Sequence, residues 1–552
     1  MTTITLYGGV NEIGGCKILV EDEKTRIFLD FGRAFGRYSD YFDGVFVRER
    51  TARGMLDVLS LGLIPPLEGL YRDDLIPALG SPDSFWDHFR SRPDYRDLRR
   101  DGLAVDAILL SHAHLDHTGD LLFVRPEVPI FSSRMTAFIA KAMQDTGRPS
   151  TSGVVYINPQ KQREDGLLEG DRSKGHTWRQ WVFVDDEPAG NVNPSDPFAS
   201  PRSFWLWRPT KSDKEAQETK PHGDASSVLQ SVRCWPLDHS VFGATGFALE
   251  TSAGWIAYTG DIRFHGHRRD ASQRFVEALQ ALRPRVLLCE GTHADSPGQP
   301  VAEEEVHKNC RDAVRKAEGK LVIADFAPRN VERLLTFLAI ARQTNRRLLI
   351  QPKDAYLLTA MYLADPASVP NLKEESHLAL YDDPKGRKDE WEKVTRGFYS
   401  SQLVGPDEVQ RHPGEYILAF SLWDMPDLLD IEHLMGEAPG GVYVYSNSKA
   451  YDEEQKVDLV RLWNWIGHFG MEPVGLQPVA RDAAGRVTEV DVTPGYHASG
   501  HASGPELLCL VKEARPEILI PIHTEHPAWW AEQLKGTGIQ VAIPDFARPI
   551  PC

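Results

Sequence analysis

Residues 105–120 read VDAILLSHAHLDHTGD. The first part is a short apolar run of the kind a buried strand shows. It leads directly into four ligand-type side chains, His112, His114, Asp116 and His117, in the pattern H-x-H-x-D-H. Histidine makes up 19 of 552 residues. At that frequency, three His and one Asp at fixed offsets arise by chance about once in a thousand chains of this size, so a merely solvated polar loop is a poor explanation. His112 and His114, two apart at the end of a strand, can point the same way and share one ion. Asp116 and His117, in the turn that follows, can reach a second ion a few ångströms away.

Outward from this motif, the N-terminal side reads as strands: ITLYGG, KILVED and RIFLDFG are short β-rich runs separated by Gly, Asn and Glu-Asp. Residues 33–103 mix aromatics, prolines and many charges and read as a large insertion with some short helices. On the C-terminal side a helix is expected at about 133–145, followed by a long polar stretch over about 146–228. Its segment KSDKEAQETKPHGDASS, 211–227, is the best candidate for a mobile loop. Strands resume at SVRCWPLDHS, GATGFALET and WIAYTGD. After residue 295 the pattern changes to strand alternating with helix, which predicts βαβ units and a parallel sheet. VERLLTFLAIAR, for example, places Val331, Leu334, Leu335 and Leu338 on one helical face. This segment extends to about residue 450, before a helix at about 453–469 and a strand-rich tail.

Composition narrows the function classes. The chain is 41% hydrophobic and 26% charged, near the globular norm, which excludes global disorder. Its net charge of −17 excludes a simple basic nucleic-acid wrapper; a polyanion would need a local basic groove or a metal. Six scattered cysteines with no CxxC pair argue against a disulfide scaffold and a thiolate zinc site. The N-terminus lacks the features of a secretory signal, and no run approaches the ~18 apolar residues of a membrane helix. A cytoplasmic protein with no membrane partner is expected.

The motif resembles that of the metallo-β-lactamase superfamily, and further residues of that pattern occur in order: Asp30 at the end of IFLDFG, His239 in PLDHSVFG and Asp261 in AYTGDIRFHG. The resemblance implies that His112, His114 and His239 hold one ion. Asp116, His117 and a later histidine hold the other, with Asp261 as the bridge and Asp30 beside the motif loop. Such donors suit Zn²⁺ or Mn²⁺, with Mg²⁺ a third candidate. GYHASGHASGPEL and LIPIHTEH resemble the β-CASP branch, which processes nucleic acids. In that pattern Glu290 and Thr292 occupy motif A, His501 motif B and His523 motif C, the last completing the second ion's ligands. A histidine at motif C points toward RNA. His497 falls outside the matching positions and is at best a supporting residue.

Within this branch the chain looks most like ribonuclease J. The resembling stretches are LYGGVNEIGG, KILVEDEKTRIFLDFG, SHAHLDHTGDL, TGDIRFHG, YSNSKAYDEEQ and HASGHASGPELLCLVKEARPEILIPIHTEH. The implied fold is α/β: a metallo-β-lactamase αββα sandwich over 1–295, with insertions at about 33–103 and 146–228, an inserted β-CASP domain over 296–450, and a return to the core over 451–552. Three departures stand out. The stretches from Asp30 to His112 and from His117 to His239 are long for ribonuclease J, and the sequence continues only 29 residues past His523. The expected assembly is a monomer or a dimer.

The implied activity is two-metal hydrolysis of single-stranded RNA, 5′→3′ from a 5′-monophosphate end, with endonuclease activity as an addition. Asp116 would orient the attacking water, His501 would serve the leaving 3′-oxygen and Glu290 would orient a histidine. Arg263, His265, His267, Arg268, Arg269, Arg329 and Arg333 are the candidate phosphate contacts. Ser499, Gly500, Ser446 and Ser448 lie in stretches matching a 5′-phosphate pocket, and GGVNEIGG is expected as a loop near the metals rather than a dinucleotide fingerprint. The competing readings are a DNase, a hydrolase of small phosphodiesters, and a non-catalytic RNA-binding subunit. The filled ligand positions argue against the last.

Overall fold

The computed structural model describes residues 1–552 apart from 44–45, 79–83, 148–152, 172, 210–216, 219–227, 229, 297 and 299. The mobile loop expected at 211–227 therefore lies outside the described residues, except for Gln217 and Glu218.

Two sheets face each other. The first has seven strands in the spatial order Trp181–Phe183, Ile130–Ser132, Ala107–Leu109, Thr25–Leu29, Ile18–Asp22, Thr3–Leu6 and Pro549–Pro551. The second has six: Val232–Pro236, Thr245–Thr251, Gly254–Tyr258, Val286–Glu290, Ile518–Ile522 and Gln540–Val541. Side chains alternate across a pleated strand, and the apolar runs serve both faces. Ile18, Val20, Ile27, Leu29, Ala107 and Leu109 pack inward against Leu249, Tyr258, Leu288 and Ile520 of the opposite sheet. Leu19, Phe28, Ile108 and Leu110 pack outward, against the helix Arg134–Thr146 and the 33–103 segment. Helices Arg269–Leu282 and Gly504–Ala514 cover the outer face of the second sheet through Phe275, Leu279, Leu507 and Val511. The result is an αββα sandwich.

Strands Val286–Glu290 and Ile518–Ile522 pair side by side in parallel. Between them the chain leaves to build a third sheet of seven parallel strands, in the order Leu403–Val404, Leu378–Tyr381, Arg347–Ile350, Tyr416–Leu418, Val322–Asp325, Val442–Tyr445 and Glu472–Val474. Helix Val331–Gln343 buries the face its periodicity predicted, with Val331, Leu334 and Leu338 all inside. This sheet continues past residue 450, where the sequence reading ended the insert. Glu472–Val474 joins its edge, and helix Glu453–His468 packs with the hairpin Leu476–Arg481/Val487–Val492 through Leu459, Leu462, Val487 and Val490.

The 146–228 stretch is also more structured than its polarity suggested. Trp181–Phe183 adds a parallel edge strand to the first sheet. Trp178, Trp205, Phe204 and Phe198 form an aromatic layer reaching Tyr356 of the second lobe. Its strands are two or three residues long, too short for periodicity to register.

Candidate metal centre

The apolar strand Ala107–Leu109 ends under the mouth of the sandwich, and the chain then turns into the short helix Leu115–Thr118. This turn brings the motif side chains together. His112 Nε2 and His114 Nδ1 are 3.1 Å apart, and His114 Nδ1 and His239 Nε2 3.2 Å. Three imidazole nitrogens at that spacing, close to the ~3.3 Å edge of a tetrahedron with ~2.05 Å bonds, match ligands converging on one cation. On the other side, His523 Nε2 lies 3.2 Å from Asp116 Oδ2, and His117 Nε2 3.7 Å from the same oxygen.

Asp261 is common to both groups. Its Oδ2 is 3.4 Å from His112 Nε2, 3.3 Å from His117 Nε2 and 3.7 Å from His239 Nε2, while Oδ1 is 3.8 Å from His523 Nε2. The donor atoms of His112, His114, His239 and Asp261 lie within 4.8 Å of one another, as do those of Asp116, His117, Asp261 and His523. His117 Nε2 and Asp261 Oδ1 are buried with no hydrogen-bond partner among the described residues. Buried polar atoms are rarely left so, and here both point where a cation would satisfy them. The donor set, imidazoles with carboxylates, suits divalent ions.

A surrounding layer of hydrogen bonds sets the tautomers. His117 donates from Nδ1 to Asp30 at 2.7 Å, His239 from Nδ1 to the Gly500 carbonyl at 2.6 Å, and His501 from Nδ1 to Glu290 at 2.9 Å. Thr292 donates to Glu290 at 2.8 Å, which leaves its oxygen to accept from His523 Nδ1 at 2.9 Å. Each bond directs the opposite ring nitrogen inward. Asp30 also accepts from the Ser111 amide and hydroxyl, both at 2.6 Å, and from Tyr258. Its φ of 56° and the 51° of His523 place two non-glycine residues in the left-handed region at this site. Gly500 permits the close approach of its carbonyl, since a Cβ there would lie 2.7 Å from Ser240 Oγ and 3.1 Å from His239 Cε1.

Burial holds His112 and His114 well below the usual imidazole range and His239 at about 3, so these rings are neutral and ready to ligate. His117 behaves oppositely. Burial disfavours its charge, yet Asp261, Asp116 and Asp30 together push it well up. Three carboxylates around one imidazole mark a field that favours cations. Replacing Asp30 by Ala frees the His117 ring and is expected to weaken metal binding about 10- to 100-fold, measured by competition with a chelator; unchanged affinity would remove Asp30 from the centre.

Glycine loop 8–15 packs beside these ligands, since the Gly9 carbonyl accepts from the His523 amide and a Cβ on Gly14 would strike Asp116. The thiol of Cys16, buried, falls within 4.8 Å of donor atoms of His117 and His523. Sequence reading placed no cysteine at the site.

Beside His501 a cavity of about 340 Å³ opens between the core and the second lobe. His293, Ser499, His501 and Ser503 line it from the core side, with Tyr445, Asn447, Lys449 and Tyr451 opposite and Tyr496 and His497 between. Among the described residues no Asp or Glu lines it, although the chain carries 79 of them. His497 Nδ1 is buried there with no hydrogen-bond partner among the described residues. Sequence reading missed His293, Asn447, Lys449 and Tyr451 and gave His497 only a supporting part.

Other expected contacts fall elsewhere. Ser446 is buried, its hydroxyl donating to the Tyr496 carbonyl at 2.6 Å, and neither it, Ser448 nor Gly500 lines the cavity. Arg263 is fully buried and bonded to Asp238, Glu303 and Glu332, so it presents no exposed donor to a phosphate. Arg333 is buried likewise, His265 bonds the Ser499 carbonyl, and Arg269 pairs with Glu304 at the surface. Arg268 lies over the Phe242 ring, and His267 is exposed. Arg329 differs. It is half-buried in the field of Asp116 and His114, with no side-chain hydrogen bond or ion pair to any described residue.

Residues 81–185 match the family described as Beta-lactamase superfamily domain, and residues 491–544 the one described as Zn-dependent metallo-hydrolase RNA specificity domain. The chain is 22% identical over 441 residues to Ribonuclease J of Corynebacterium glutamicum, covering 78% of this chain and 47% of that protein. It is 22% identical over 442 residues to Ribonuclease J of Mycobacterium tuberculosis, covering 78% and 60%. Thus the chain spans about half to three-fifths of the length of these curated relatives. A shorter stretch of 142 residues is 32% identical to Ribonuclease J 2 of Staphylococcus aureus, a quarter of each chain. A solved protein of unknown function from Enterococcus faecalis shares the fold, with a TM-score of 0.62 at 19% identity, covering 100% of this chain and 99% of that one. With Asp261 shared by two histidine groups, a parallel sheet inserted into its sandwich and matches to a Beta-lactamase superfamily domain and an RNA specificity domain, the chain is similar to the ribonuclease J proteins of the metallo-β-lactamase superfamily.

Proposed function

We propose that this protein is a metal-dependent ribonuclease, loaded with two divalent ions of Zn²⁺ or Mn²⁺, that degrades single-stranded RNA from a 5′-monophosphate end. The observation that carries this reading is the adjacency of the Asp261-centred ligand groups to a carboxylate-free cavity holding His293, Lys449, His497 and His501. In a chain of net charge −17, a pocket without acids selects an anion. The RNA-specificity family matched at 491–544 and the ribonuclease J relatives support RNA as that anion.

Cations held at the centre supply an activated water and positive charge for the phosphoryl oxygens. The chain's own groups do the rest. Asp116, partly exposed beside His523 and His117, accepts a proton from the attacking water. His501 presents Nε2 toward the centre, 3.9 Å from Asp261, while Glu290 holds its other nitrogen. It donates a proton to the leaving 3′-oxygen as the P–O3′ bond breaks, so the products carry a 5′-phosphate and a 3′-hydroxyl. Arg329, lacking a partner of its own, contacts the phosphate backbone. Lys449, His497 and Ser499 hold the terminal phosphate, which keeps the first linkage in register over the centre. Six free cysteines fit a reducing, cytoplasmic setting, and no helix of the described residues is long and apolar enough to cross a membrane. The assembly proposed is a monomer or a dimer.

The test uses 3′-labelled RNA and DNA oligomers bearing a 5′-monophosphate, 5′-triphosphate or 5′-hydroxyl, with Mn²⁺, Mg²⁺ or Zn²⁺. Progressive shortening of the 5′-monophosphate RNA, fastest of the set, is expected. Replacing Lys449 by Met should reduce the advantage over 5′-hydroxyl RNA by roughly tenfold, the worth of one charge-assisted hydrogen bond. Equal cleavage of DNA would make this a general nuclease, and fixed internal fragments independent of the 5′ end would make it an endonuclease without an end pocket.

A further inference from the structure

Arg263 and Arg333 stand 70 positions apart in sequence yet share one carboxylate. Arg263 follows the bridging Asp261 by two residues, and its guanidinium is fully buried. From Nε it donates to Asp238, the residue before His239, at 3.1 Å; one terminal nitrogen donates to Glu303 at 3.3 Å and to the Ser499 carbonyl at 3.1 Å, and the other to Glu332. Glu303 opens helix Glu303–Lys316 and Glu332 lies in helix Val331–Gln343, both in the second lobe. Arg333 donates to the other oxygen of Glu303 at 2.9 Å, to the Ser446 carbonyl at 3.0 Å, to the Ser446 hydroxyl, and to the Tyr496 carbonyl at 3.1 Å. Backbone amides join in, Gly266 to Asp238 at 2.9 Å and His267 to Glu332 at 2.6 Å.

Three carboxylates and two guanidiniums thus meet inside the junction between the lobes, each almost wholly buried. Burying five charges is weak evidence of added stability, because desolvation offsets most of the attraction; retention of such a group is better explained by a need for one specific arrangement. What this group arranges is definite. It ties the loops carrying His239 and Asp261 to two lobe helices. It also grips the carbonyls of Tyr496 and Ser499, in the loop that lines the cavity and leads into His501. Bidentate guanidinium geometry fixes direction as well as distance, which a lysine does not reproduce.

We propose that Arg263 and Arg333 are positioning residues that register the second lobe and the 496–501 loop on the metal centre. Neither contacts substrate. The activity readouts below rest on the ribonuclease reading above, whereas the exchange readout does not.

Arg263→Lys, Arg333→Lys, the double variant and Ser446→Ala are compared with the parent chain in the metal-loaded protein. Ser446→Ala keeps all five charges and removes only one hydroxyl, with its bonds to Arg333, Cys310 and Tyr496, so it serves if a lysine variant fails to fold. Amide hydrogen exchange over residues 496–501 is expected to rise about tenfold or more in each variant, with unchanged exchange in strands 107–109 and 286–290. Bound metal should be unchanged. On 5′-monophosphate RNA, kcat should fall about tenfold to a hundredfold with little change in KM, since sub-ångström misplacement of His501 acts on the chemical step. Because both arginines meet at Glu303, the double variant should lose little more than the worse single one. Wild-type exchange over 496–501 in Ser446→Ala and in the folded lysine variants, or losses that multiply in the double variant, would overturn the proposal. If the parent chain has no activity on RNA, the ribonuclease reading fails, while exchange and its coupling between the two sites still decide this one.

Discussion

Asp261→Asn is expected to lose at least one bound ion and at least about 10³ of the rate, some 4 kcal/mol of barrier. Asp261 alone belongs to both ligand groups, Oδ2 facing His112, His117 and His239 and Oδ1 facing His523. Asparagine keeps the shape but removes the charge that would let two cations sit close together. It also turns an N–H toward imidazole nitrogens or leaves one fewer acceptor for an ion. Elemental analysis of the purified variant, with kcat/KM on 5′-monophosphate RNA, checks both parts. Full metal content with an unchanged rate would show that the carboxylate does not bridge.

His501 should behave differently. His501→Gln is expected to retain its ions and lose about 10²- to 10⁴-fold in kcat, the range for a positioned proton donor. Burial disfavours the charged ring, but Glu290 and then Asp261 outweigh it and raise its pKa to about 9. An acid raised in this way stays protonated at neutral pH and loses its proton as pH rises through that value, so it sets the basic limb of the rate profile. Cations held at the centre would repel the imidazolium and so move the limb below about 9. Glu290→Gln removes the strongest attraction, so the limb should shift to lower pH while the acidic limb stays in place. A basic limb identical in wild type, Glu290→Gln and His501→Gln would assign the proton to another group.

Much of this centre was legible because its first half is local. His112, His114, Asp116 and His117 are fixed by one strand and one turn, and the apolar run before them makes that strand buried. His239, Asp261 and His523 carry no such local signal, and only their order along a family pattern marked them; the geometry brings all three to the motif. What could not be read depended on contacts far apart in sequence. Arg263 looks like a phosphate contact because it follows a ligand in a basic stretch, but the carboxylates that claim it lie 40 and 69 residues on. Ser446 sits in the right segment with its hydroxyl turned to Tyr496, while its neighbours Asn447 and Lys449 reach the cavity. The edge strand Glu472–Val474 contains a proline and follows a helix, so nothing in its three residues announces that it extends the parallel sheet. Arginines 90, 92, 96, 99 and 100 are each paired with an acid, among them Glu68, Asp94, Glu21 and Asp106.

Asp261 is expected to hold two cations between these histidine groups. Anomalous diffraction from crystals grown with Mn²⁺, recorded on either side of the manganese edge, tests it most directly. Two peaks about 3.5–4 Å apart are expected flanking Asp261, one among His112, His114 and His239 and the other among Asp116, His117 and His523. A single peak, or two that do not share Asp261, would contradict it.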